Sequence, residues 1–346
     1  MRVDVHQHLW SEPLVAALAE RDELPFVRSE RGLTVLFLAS ERPYAIDVAG
    51  EAPARRAALA ARDGLDRALL CLSSPLGVER LPRTQSLALI DAYHDGALAL
   101  GEPFGVWGAV ALDRPEAADV DRVLARGCVG VSLPAGALAG VDPLVQLRPL
   151  LRCLQDAGAP LLIHPGPGPG RSRGLGSGPG GSRALAGRDE EVSLADPLWW
   201  PALTRYVAQM HVAWLTFVSA VRPEYPRLRV IFTMLAGLAP LHAERLSSRG
   251  GPAPLRRDAL TFYETSSYGP DSIRRIAETV GPEQILYGSD RPVVDPTAHG
   301  LPTERDWDAL AERTGRALGE SLGAPLAGGR LARAPAAPAR EGALAR

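Results

Sequence analysis

Two histidines stand two residues apart near the start of the chain, in Val3-Asp4-Val5-His6-Gln7-His8. Val3 and Val5 read as strand residues, and residues i and i+2 of a strand share one face, about 7 Å apart. Two imidazoles aimed from one strand can share a metal ion; the competing reading is a pair of ordinary surface histidines. Two further ligand-type residues at the ends of later apolar runs favour the metal. They are His164 in Leu161-Leu162-Ile163-His164-Pro165-Gly166 and Asp290 in Tyr287-Gly288-Ser289-Asp290-Arg291-Pro292. Three neutral imidazoles and a carboxylate suit one divalent ion, Zn²⁺ first, with Fe²⁺ or Mn²⁺ as alternatives. An open position on such an ion would acidify a bound water, and Asp290 could accept its proton.

Those residues need a scaffold that brings strand ends together. Apolar strand patterns are expected at 67–72, 104–112, 129–133, 160–164, 229–233, 260–265 and 284–287, separated by helical patterns. With the first strand this makes eight β/α units. Near-continuous apolar strands signal a parallel sheet covered by helices, and eight units fit a (β/α)₈ barrel, an α/β fold. Between the first strand and the first long helix, runs at 33–38 and 44–48 flank Ser40-Glu41-Arg42-Pro43 and predict a small β-hairpin insertion. The barrel is expected over residues 1–320. A Gly/Pro-rich insertion at about 165–190 holds eight glycines between Pro165 and Gly181, and reads as disordered or as a lid. Residues 321–346 read as a disordered tail.

Composition narrows the chemistry. The 346 residues are 46% apolar, enough for a large core, and the net charge of -2 gives no basis for nucleic-acid or membrane-surface binding. No apolar run approaches the ~20 residues of a membrane span, and no signal segment precedes the first strand, so a cytoplasmic protein is expected. Cys71, Cys128 and Cys153 are too scattered for a Cys-rich zinc site or a disulfide framework. All 38 basic residues are arginines. Without lysine there is no Schiff-base chemistry, no P-loop lysine and no carbamylated lysine bridging two metals. The expected cofactor is therefore one divalent metal ion, Zn²⁺ by preference.

The three motifs, in this order and spacing, resemble the amidohydrolase-related family that includes aminocarboxymuconate-semialdehyde decarboxylase. The likeness covers roughly residues 1–300. It implies a mononuclear metal site of His6, His8, His164 and Asp290. It also implies hydrolysis of C–O or C–N bonds, or non-oxidative decarboxylation. One departure stands out. After its sixth strand the family shows His-x-Gly-Gly followed by proline, and that histidine serves as acid/base. Here the segment is Met234-Leu235-Ala236-Gly237-Leu238-Ala239-Pro240. A thioether cannot shuttle protons at neutral pH.

Asp290 is the expected base, and His211 is the candidate to replace the lost histidine, against a reading of it as a packed residue among aromatics. His94 and His299 read as solvated. Arg291 is a candidate partner for a substrate carboxylate, or else an ion pair. Tyr268 and Trp10 are candidate substrate walls, or else packing residues, and the facing of Glu264 is open. The leading expectation is a metal-dependent hydrolase of a small ester, lactone or amide. The alternatives are a decarboxylase and a metal- or ligand-binding barrel without turnover. The expected partner is a small molecule, and Trp199 and Trp200 mark a candidate homo-oligomer interface.

Overall fold

The computed structural model describes residues 1–39, 41–169, 197–252, 258–294 and 304–323. The expected insertion beyond Pro169, His299 and the expected tail beyond Gly323 lie outside the described residues. Eleven strands are present among those described: β1 Val3–Gln7, β2 Phe26–Glu30, β3 Leu33–Phe37, β4 Tyr44–Ile46, β5 Arg67–Leu70, β6 Phe104–Gly108, β7 Gly130–Pro134, β8 Leu161–His164, β9 Val230–Phe232, β10 Thr261–Glu264 and β11 Ile285–Leu286. Eight of them form one parallel sheet in the order β1-β5-β6-β7-β8-β9-β10-β11. Val5 N donates to Tyr287 O at 2.9 Å and Gln7 bridges to Arg291, bringing the last strand back to the first. The result is the expected (β/α)₈ barrel, nearly closed.

Alternation along the strands fills its interior. Val3 and Val5 of β1, Leu69 of β5, Trp107 of β6, Leu162 of β8, Ile231 of β9, Phe262 of β10 and Leu286 of β11 form one small cluster with Cys71. Most other buried apolar residues belong to a second, larger cluster between the barrel and its helices. Each fully buried aliphatic or aromatic side chain contributes about 1.5–3 kcal/mol, so these two cores dominate stability. Trp107 also ties strands together, its Nε1 donating to Val5 O at 2.9 Å. The helix Arg83–Leu98 buries Leu89, Ile90, Tyr93 and Ala97 on one face, a helical spacing. The Tyr93 hydroxyl reaches Leu70 O at 2.9 Å.

The insertion is larger than a hairpin. β2, β3 and β4 form a three-stranded antiparallel sheet, with Phe26 stacked on Phe37 at 4.8 Å. β2 escapes a sequence pattern because Val27 is its one buried residue and its end is polar. His94, expected to be solvated, is 1% exposed, and its Nε2 accepts the Ala109 N–H at 3.0 Å. Burial pushes its pKa down to about 3, so it stays neutral and serves as an acceptor for the β6 loop. Trp199 and Trp200 are both exposed, their rings 5.7 Å apart.

The loop after β5 folds over a buried carboxyl. Glu79 is fully buried; Ser74 Oγ donates to it at 2.7 Å and its backbone carbonyl accepts Leu112 N at 2.7 Å. Ser74 in turn packs against Gly166, where an added Cβ would stand 2.6 Å from the Ser74 Cβ. Burial pushes the Glu79 carboxyl up to about 7 from 4.5. The folded chain therefore holds this proton more tightly than the unfolded chain. Its stabilising contribution is whole below pH 4.5 and is lost as pH rises towards 7, an effect of about 3 kcal/mol at full ionisation. Glu79→Gln should remove that slope. Denaturation midpoints at pH 5 and pH 8 should converge in the variant; an undiminished pH dependence would show that Glu79 does not carry it.

Candidate metal centre

The β1 histidines need help to face inward. Val3 and Val5 point into the barrel, so strict alternation would send His6 and His8 outward. The β1–β5 register shifts between Asp4 and Gln7, and this irregularity re-aims the strand end. A buried network holds it. Asp4 accepts the His6 and Ser289 N–H groups at 3.0 and 3.1 Å and the Gln7 amide at 2.7 Å. Gln7 Oε1 accepts from Arg56 at 2.7 Å, and Arg56 pairs with Glu51 at 2.9 Å. Burial raises the Asp4 carboxyl to about 6 against these hydrogen bonds.

His6, His8 and His164 stand in a triangle, each pair of ring centroids 4.9 Å apart. All three are buried, at 1%, 2% and 5% exposure. Their outward contacts decide their tautomers. His6 Nδ1 faces Glu264 Oε2 at 3.2 Å, His8 Nδ1 faces Cys71 O at 3.0 Å, and His164 Nδ1 faces Pro165 O at 2.7 Å. Each outward partner is an acceptor, so each Nδ1 carries the hydrogen and each neutral ring keeps its Nε2 lone pair. The Nε2 atoms of His6 and His8 are 3.2 Å apart. Asp290 Oδ1 lies 3.2 Å from His8 Nε2 and 3.6 Å from His6 Nε2. Lone pairs and a carboxylate brought this close call for a cation among them. The donor set fits the metal that the sequence motifs imply.

Glu264 is the residue whose facing sequence left open. It continues the inward face of β10 from Phe262, is fully buried, and receives Ser266 Oγ at 3.0 Å and Met234 N at 3.0 Å besides facing His6. A carboxylate that orients a ligand histidine and raises its basicity is a common support of metal sites. Space for it comes from Gly288, where a Cβ would overlap the Glu264 side chain. Asp290 itself turns the chain at φ 60, a left-handed conformation that Asp tolerates better than most residues, and its N–H donates to His6 O at 2.9 Å. Burial opposes ionisation of Asp290, but His8, His6 and His164 together hold its carboxyl below the usual range.

The other sequence candidates are held by contacts of their own. His211, on the helix Arg205–Thr216, turns to Gly237 O at 2.6 Å and packs against His242 with ring centroids 5.2 Å apart. It thereby pins an unusual segment. Met234, Leu235, Ala236, Gly237 and Leu238 all have left-handed φ, from 43 to 66. That costs roughly 1–2 kcal/mol for each non-glycine residue. The Met234 bond to Glu264, the Ala236 N–H to Thr233 O at 2.9 Å and the His211 bond hold it in place. Arg291 is buried and its guanidinium pairs with Asp63 at 2.6 Å. Trp10 is 4% exposed in the outer core, and Tyr268 packs half-buried against that core.

Two residues near the centre carry no sequence signal. Cys71 is buried beside His8, its Sγ 3.5 Å from His8 Nδ1. Glu41, in the loop joining β3 to β4, is half-buried, and its carboxylate has no hydrogen bond or ion pair among the described residues. Burial, opposed by Arg205 and reinforced by the Asp290 charge, pushes the Glu41 carboxyl up to about 7. The Tyr44 phenol is raised by burial and by the charges of Glu41 and Asp290. The inserted sheet thus brings Glu41 and Tyr44 within electrostatic reach of Asp290.

The support for His6 is testable. Glu264→Gln and Gly288→Ala should each weaken metal binding by about 10- to 100-fold, the usual cost of losing an outer partner of a ligand. Competition titration against a chromophoric chelator measures this. Unchanged affinity in both variants would show that His6 needs no carboxylate behind it.

The amidohydrolase family profile matches residues 3–322. No curated protein matches the chain as a relative. Among solved structures, the chain is similar to Metarhizium anisopliae IDCase in apo form, at 16% identity and TM-score 0.67, covering 93% of this chain and 92% of that one. It is similar to 5-carboxyvanillate decarboxylase from Sphingomonas paucimobilis, at 18% identity and TM-score 0.63, covering 92% and 98%. A third, 5-carboxyvanillate decarboxylase from Novosphingobium aromaticivorans, holds manganese and 4-hydroxy-3-methoxy-5-nitrobenzoic acid; it shares 18% identity at TM-score 0.58, covering 92% and 89%. At these identities the structures speak for the fold, and the family rests on the profile match over nearly the whole length. The chain belongs to the amidohydrolase family and is an enzyme.

Proposed function

We propose that the protein is a metal-dependent carboxy-lyase acting on a small aromatic or conjugated carboxylic acid. The observation that carries this reading is the placement of Glu41, half-buried in the β3–β4 loop within electrostatic reach of Asp290, where burial pushes its carboxyl up to about 7. Decarboxylation without an oxidant needs an acid that protonates carbon, and Met234 removes the residue that supplies one elsewhere in the family. Glu41 restores it from the inserted sheet. The decarboxylase names among the structural neighbours support the same choice over hydrolysis.

In this reading His6, His8, His164 and Asp290 hold one divalent ion. When bound, such an ion supplies positive charge that fixes substrate oxygens and withdraws electron density from the carbon under attack. Glu264, Cys71 O and Pro165 O keep the three imidazoles in the ligating tautomer. Glu41 gives its proton to the substrate carbon. As the bond to the carboxylate breaks, its electron pair stays with that carbon and carbon dioxide leaves. Glu41 then regains a proton from water. Zinc is the proposed ion, because three imidazoles suit a borderline-soft metal.

A second reading has its own observation. Asp290 is held ionised beside the histidines, which suits a base that activates water for hydrolysis of an ester, lactone or amide. The two readings part in the assay. Metal-loaded enzyme should release carbon dioxide from hydroxylated benzoic acids and related acids and lose this activity on chelation. Metal-dependent hydrolysis of lactones or esters without carbon dioxide release would overturn the carboxy-lyase reading in favour of the second. An acid must be protonated to act, so kcat should be flat below pH 7 and fall about tenfold per unit above it. Glu41→Gln should lower kcat by about 10²- to 10⁴-fold with little change in KM. A variant with full kcat and an unaltered pH profile would remove Glu41 from the mechanism.

A further inference from the structure

We propose that Cys71 is a ligand of the same metal centre, and that its thiolate makes the centre select Zn²⁺ or Co²⁺ over Mn²⁺. The inference rests on the reading of the three histidines as a metal site and adds a donor to it.

The placement follows from the strand. Leu69 points into the barrel, and alternation carries the next inward position to Cys71, one layer higher and level with the histidines. There the thiol is fully buried, and one donor atom each from His6, His8, Cys71 and His164 lies within 4.8 Å of every other. No other group of three or more potential ligands appears among the described residues. A cysteine in an apolar core is often no more than a small hydrophobe. Cys128 is such a residue, 6% exposed in the outer cluster with apolar neighbours. Cys71 differs because it is fully buried against the histidine triangle, its Sγ 3.5 Å from His8 Nδ1 and within 4.8 Å of a donor atom of each histidine.

The donors divide by exposure. His6, His8, His164 and Cys71 are 1%, 2%, 5% and 0% exposed, and the Asp290 side chain is 17% exposed. The buried four form a nitrogen-and-sulfur set on the closed side of the centre. Asp290 occupies the more exposed side of the centre. Thiolate is a soft donor that favours zinc or cobalt; manganese prefers carboxylate, carbonyl and water.

The test uses full-length protein stripped of metal and reloaded with Co²⁺. Wild type should show visible ligand-field absorption together with a near-ultraviolet thiolate-to-cobalt charge-transfer band. Cys128→Ser should keep that band, and Cys71→Ser should lose it while retaining the visible absorption. Competition titrations should find the zinc-to-manganese affinity ratio of Cys71→Ser lowered by about 10- to 100-fold. Visible bands in wild type without a charge-transfer band would overturn the role of Cys71 and leave the histidine centre standing. No cobalt spectrum at all would overturn the centre itself. The wild-type spectrum decides the matter even if Cys71→Ser fails to fold.

Discussion

Three imidazole nitrogens with free lone pairs are forced into one small volume, and most of the surrounding architecture answers to that constraint. Neutral acceptors at such separations repel, and a protein does not assemble them without outside force. The force comes from behind each ring, where a carboxylate and two backbone carbonyls claim the Nδ1 hydrogens. Strand-end carbonyls do this without cost because β5 and β8 stop where the rings begin. The fold therefore stores unfavourable electrostatics at its mouth and releases it when a cation arrives.

Much of this is legible in the sequence. The eight-strand alternation, the His-x-His pair, His164 and Asp290 all sit where strand patterns end, and strand ends of a barrel converge. What escaped was facing. The register irregularity that turns His6 and His8 inward leaves no mark in Asp4-Val5-His6-Gln7. Glu264 was within reach of simple alternation from Phe262, yet nothing in the sequence says which face of β10 looks inward. Cys71, after Ala68-Leu69-Leu70, reads as one more small apolar residue. His211 sits on a helix whose rotation about its axis sequence cannot set. Its bond goes to the Gly237 carbonyl. The left-handed run at Met234–Leu238 lacks the Asn or repeated Gly that would announce it.

That run also bears on the lost histidine. Where the family places an acid/base, this chain bends through a strained turn held by Glu264, Thr233 and His211. Proton chemistry in the proposed mechanism has moved to Glu41, on an added sheet outside the barrel. A titratable group on a separate, thinner element can shift relative to the metal ligands more readily than one rooted on a barrel strand. Substrate fit and proton delivery then depend on different parts of the chain.

Gly288 and Glu264 share one space, since a side chain on the first would occupy the second. The consequence is evolutionary. Neither position can drift alone: a larger residue at 288 evicts the carboxylate, and a shorter acid at 264 leaves a hole that only a second change would fill. Viable descendants should vary the two positions together or not at all. The glycine in Gly288-Ser289-Asp290 is in this sense part of the histidine's address, recorded twenty-four residues downstream of the carboxylate it protects.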